Sequence, residues 1–70
     1  MTIIFKNIAD GADIGIWNDW QGIIPNIGDI IYDATWYENS FTACFIDGRV
    51  VRRKIIAGNP DKIYIYLKES

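Results

Sequence analysis

Apolar and polar residues alternate most plainly over Lys62–Lys68. Ile63, Ile65 and Leu67 fall on one side, and Lys62, Tyr64, Tyr66 and Lys68 on the other. A period of two predicts a strand with an aliphatic face and an aromatic, cationic face. Residues 41–46 predict another strand. Asp47-Gly48 then reads as a two-residue hairpin turn, because glycine supplies the positive φ such a turn needs, and residues 49–56 read as the returning strand. Ala57-Gly58-Asn59-Pro60-Asp61 is a loop by composition. Three antiparallel strands are therefore expected in the C-terminal half.

The N-terminal half is less regular. Residues 2–8 predict a strand, and Ala9-Asp10-Gly11-Ala12-Asp13 a turn. Residues 14–20 predict a second strand, with Ile14 and Ile16 on one face and Gly15 and Trp17 on the other. A short helical turn at Trp17-Asn18-Asp19-Trp20 competes with that reading. Pro25-Asn26-Ile27-Gly28-Asp29 is a tight connection, residues 30–37 a further strand, and Glu38-Asn39-Ser40 its turn. Fifteen isoleucines, with Val, Thr, Tyr, Phe and Trp, dominate the segments between turns and favour a pleated, half-buried surface. The expected fold is all-β: a single small domain over residues 1–70, an antiparallel meander of five or six short strands. Curling into a small barrel buries more than a flat sheet would.

Pro25-Asn26-Ile27-Gly28-Asp29-Ile30-Ile31 resembles the P-x-x-G-D-x-hydrophobic step of small SH3-like barrel proteins, many of them short phage or bacterial proteins of unknown function. The likeness spans residues 25 to 67 and takes in the alternating tail Ile63-Tyr64-Ile65-Tyr66-Leu67. It implies an SH3-like barrel and a phage-related setting, and it brings no set of catalytic residues with it.

Size limits stability. Folding 70 residues removes roughly 4,300 Å² of apolar surface from water, worth roughly 105 kcal/mol, and ordering them costs about as much. One cysteine excludes an internal disulfide, and no histidine is available to build a Cys/His zinc site. Self-association is the expected stabiliser. No apolar run approaches the ~18 residues of a membrane span, and the start, Met1-Thr2-Ile3-Ile4-Phe5-Lys6, lacks the pattern of a signal peptide. A single free Cys44 suits a reducing, cytoplasmic setting.

Catalysis has little to draw on. Histidine is absent, Ser40 and Ser70 lie in no nucleophile motif, and Gly11 and Gly15 form no phosphate loop. No enzyme activity, cofactor or metal is expected. Asp10 and Asp13 fall far short of a calcium loop and suit turn backbone groups instead. Cys44 reads as a small sheet residue.

Charge is divided along the chain. Residues 1–40 carry Lys6 against Asp10, Asp13, Asp19, Asp29, Asp33 and Glu38, a net of −5. Residues 41–70 carry Arg49, Arg52, Arg53, Lys54, Lys62 and Lys68 against Asp47, Asp61 and Glu69, a net of +3. This is either a basic docking face or solubilising charge that interleaves and cancels in a barrel. Arg52-Arg53-Lys54 breaks a strand's alternation, so a bulge or a projecting edge is expected there. Ten aromatics are many for this length. Phe5, Phe41, Phe45 and one Trp furnish a core, Tyr64 and Tyr66 face away from it, and Trp17 with Trp20 form a lid or a patch.

Two functional readings follow. The first is an interaction or self-assembly module, with a homo-oligomer or a protein partner, using Tyr64, Tyr66, Lys62, Lys68, Arg52, Arg53, Lys54, Trp17 and Trp20. The second is a barrel that binds single-stranded nucleic acid through Arg49, Arg52, Arg53, Lys54, Lys62 and Lys68, with Tyr64 and Tyr66 stacking on bases, which the acidic pI of about 4.7 disfavours.

Overall fold

A computed structural model describes residues 1–36, 43–56, 58 and 61–69. Among these residues the fold is all-β: five strands make one curled, half-barrel sheet. The strands are β1 (Thr2–Asn7), β2 (Asp13–Trp17), β3 (Ile30–Trp36), β4 (Ala43–Ile55) and β5 (Lys62–Lys68). Their order across the sheet is β2-β1-β5-β4-β3. Three pairings are antiparallel, and that of β1 with the central strand β5 is parallel. Among the described residues no helix is long and apolar enough to cross a membrane.

Alternation produces the core. Ile3, Phe5, Ile46, Val50, Ile63, Ile65 and Leu67 are buried on the inner face. Ile14, Trp17, Trp20, Ile24 and Ile31 pack against them. Phe41 and the side chain of Phe45 lie outside the described residues, as does the expected turn at Glu38-Asn39-Ser40.

The hairpin expected at Asp47-Gly48 does not form. β4 runs straight through these residues as one strand of 13. Its first half pairs with β3 and its second half with β5, so the two halves never face each other. The glycine answers a different need. A Cβ on Gly48 would sit 2.8 Å from the Lys68 carbonyl oxygen, so the backbones of β4 and β5 approach too closely for a side chain. Two strands, not three, therefore lie beyond residue 42 among the described residues.

Both irregularities in the ladders are bulges. Val50 pairs with Leu67 and Arg52 with Tyr66, which leaves Val51 as an extra residue. In β2, Ile14 is the extra residue between the Phe5–Gly15 and Lys6–Asp13 pairs. Ile14 consequently packs on the core while Ile16 is 45% exposed, so the two do not share a face as plain alternation predicts. After Trp17 the chain bends rather than forming a helical turn: Asp19 adopts φ 54°, a conformation aspartate tolerates, and Trp20 folds back.

The step at 25–29 is a docked turn. The Asp29 N–H donates to the Asn26 carbonyl at 3.0 Å, and Gly28 has φ 98°, as the third position of a type II turn requires. The Asp29 carboxylate accepts the Asn26 N–H at 2.8 Å. Gly28 and Asp29 then exchange backbone hydrogen bonds with Val50 at 2.8 and 2.9 Å, which ties the turn to β4. Pro25 is buried beside it.

Candidate functional site

The register gathers basic residues on the outer face of the sheet. Along β5, Lys62, Tyr64, Tyr66 and Lys68 point away from the core. Arg49 stands opposite Lys68, Arg52 opposite Tyr66 and Lys54 opposite Tyr64. On the other side of β5, Lys6 is opposite Tyr66, Ile4 opposite Tyr64 and Thr2 opposite Lys62. Six of the seven basic residues of the chain thus share one face. Asp13 and Asp47 share it with them.

The bulge at Val51 decides this. Without it, the pairing of Val50 with Leu67 would turn Arg52 and Lys54 toward the core and only Arg53 outward. With it, Arg52 and Lys54 are exposed and Arg53 takes the inner position opposite Ile65. From there Arg53 reaches out to the 25–29 turn, where its guanidinium donates to Asn26 Oδ1 at 2.7 Å.

The tyrosines are set among cations. The Lys6 ammonium lies 4.9 Å from the Tyr64 ring centroid, and the Arg52 guanidinium 5.6 Å from that of Tyr66. Lys6 also donates to Asp13 Oδ1 at 2.6 Å. This hydrogen bond raises the Lys6 pKa above its ordinary value, and the negative charge of Asp13 adds to the effect against a desolvation that lowers it.

Trp17 and Trp20 belong to the opposite face. Trp17 meets Phe5 edge-on at 4.7 Å between centroids and lies 4.5 Å from Trp20 in a tilted stack. The Trp17 indole N–H donates to Asp33 Oδ2 at 2.6 Å, and that of Trp20 to the Ile23 carbonyl at 3.1 Å. Both rings therefore cap the core. Of the residues singled out from sequence, Lys62, Tyr64, Tyr66, Lys68, Arg52 and Lys54 come together. Arg53, Trp17 and Trp20 lie on the other side of the sheet.

Lys6 is the member of the face that sequence reasoning assigned to the acidic half. Its place depends on the parallel β1–β5 pairing, which leaves no local signal. Asp10 keeps to its turn, accepting the Ala12 N–H at 2.9 Å. Among the described residues no group of three or more His, Cys, Asp or Glu side chains is placed to hold a metal ion. No family model matches the chain, and no curated protein and no solved structure shows significant similarity to it.

Proposed function

We propose that the chain is a non-enzymatic interaction module that docks an acidic protein partner on its outer sheet face. One observation carries this reading: six cations share the face, and among the described residues Lys6 alone of them forms an ion pair. Cations held side by side on a rigid sheet build a positive potential although the whole chain carries −2. The exposed apolar side chains of Ile16 and Ile30 on the same face add the contact area a protein interface uses.

The same interleaving of cations and tyrosines favours single-stranded nucleic acid as the second reading. The ring contacts weigh against it. A base stacking on Tyr64 or Tyr66 must first displace Lys6 or Arg52 from the ring. A second copy of the chain is a further candidate for the acidic partner, since Asp10, Asp19, Asp29 and Asp61 are exposed. An SH3-like barrel, supported by the curled sheet and the docked 25–29 turn, suits such a module, and the lone Cys44 suits a cytoplasmic one.

Titration with poly-L-glutamate, and with an oligo-dT of matched charge, tests this. Poly-L-glutamate is expected to bind at low ionic strength and to be released as salt approaches ~0.15 M, where screening reaches about 8 Å. The Arg52→Gln/Lys54→Gln variant is expected to bind less tightly. Failure of poly-L-glutamate to bind at low salt overturns the proposal, and tighter binding of oligo-dT transfers the face to nucleic acid.

A further inference from the structure

One end of the outer face carries a shallow groove of about 210 Å³, lined by Ile30, Arg49, Lys68 and Glu69. The register builds it: Arg49 is opposite Ile30 on one side and opposite Lys68 on the other. Two cations directly opposite in an antiparallel pair repel each other. Neither forms an ion pair among the described residues. Ile30 beside them is 76% exposed, although it stands in a strand. The groove therefore combines an apolar platform with two cations that are in no ion pair among the described residues. It is smaller than the ~300–1,000 Å³ of a small-molecule site, and its size suits a single long side chain.

We infer that this groove anchors a glutamate side chain of the acidic partner. The inference rests on the docking reading above and names its point of attachment. A glutamate stem of two methylenes can lie along Ile30 while its carboxylate sits between the Arg49 guanidinium and the Lys68 ammonium. The planar guanidinium fork can donate to both carboxylate oxygens. An aspartate, one methylene shorter, reaches the cations only by leaving Ile30 uncovered. The two like charges, unfavourable in the free protein, become favourable once an anion bridges them. Glu69 on the groove wall opposes the incoming charge, so its neutralisation should strengthen binding.

The test compares poly-L-glutamate with poly-L-aspartate of equal length, read by amide shifts in nuclear magnetic resonance and by affinity. The wild-type chain is expected to prefer poly-L-glutamate several-fold, with shifts at Ile30, Arg49 and Lys68. Arg49→Gln/Lys68→Gln is expected to lose that preference and roughly tenfold in affinity, whereas Glu69→Gln gains affinity. Arg52→Gln/Lys54→Gln should weaken both polymers alike and keep the preference. All these positions are exposed, and the tryptophan fluorescence of each variant reports that the core is intact. Equal affinity for the two polymers, or a preference that survives Arg49→Gln/Lys68→Gln, overturns the glutamate anchor and leaves the docking face standing. Absence of any binding to poly-L-glutamate removes both.

Discussion

Gly48 is the position where a single side chain decides most. It sits in mid-strand at φ 157°, with the Lys68 carbonyl oxygen 2.8 Å from where a Cβ would be. Backbone cannot yield as a flexible side-chain end can. Gly48→Ala is therefore expected to destabilise the fold by about 1–3 kcal/mol, read as a lower urea midpoint. Gly11 provides the contrast: at φ 73° it has open space around it, so Gly11→Ala should cost only about 1 kcal/mol of backbone strain. The sequence marks both glycines as unusual. It does not say that one serves a turn and the other a close approach, because that depends on which strand lies alongside.

The strands themselves were readable where burial alternates. β5 has the predicted bounds, with Ile63, Ile65 and Leu67 inside. The disturbance at Arg52-Arg53-Lys54 was readable too, since three consecutive charges cannot all point away from a core, and a bulge lies beside them. Its exact residue was not readable, because Val50 and Val51 are equally good candidates for burial until Leu67 selects one. At the β1–β2 hairpin, the ion pair of Lys6 with Asp13 joins the strands just beyond the other bulge. The Lys6 pKa is raised above 10.5 in the folded chain, so the pair stabilises fully below that pH and is lost as pH rises through the raised value. Wild type and Lys6→Met should therefore differ in thermal midpoint at neutral pH, and the difference should shrink in alkali beyond pH 10.5. A difference that stays constant would assign the effect to packing of the side-chain stem rather than to the ammonium charge.

Across the whole molecule, the curled sheet brings its two edges within side-chain reach. β2 and β3 stand at opposite ends of the strand order, yet Trp17 on the first donates to Asp33 on the second. Among the described residues a side-chain hydrogen bond, and no backbone ladder, joins these two edges. Trp17→Phe keeps an aromatic ring against Phe5 and removes the donor. It is expected to destabilise by about 1.5–3 kcal/mol, the range for a hydrogen bond to a charged group, and to speed amide exchange in β2 and β3 more than in β5. Uniform exchange across all five strands would mean that the ring's packing matters and the closure does not. The outer face is also a property of this scale. Cations that are separated along the chain, Lys6 in one part and the others in the other, meet on one face once β1 lies beside β5.

Composition and a period of two determined by themselves that this chain makes β-structure with an aliphatic side, since alternation acts between near neighbours and needs no knowledge of partners. They also determined that Tyr64, Tyr66, Lys62 and Lys68 share a side. Only the tertiary structure decided that β4 is continuous, that β1 runs parallel to β5, and that Lys6, Arg49, Arg52 and Lys54 join those four residues. Strand pairing is settled by contacts between distant segments, and a one-residue bulge reverses every side chain beyond it.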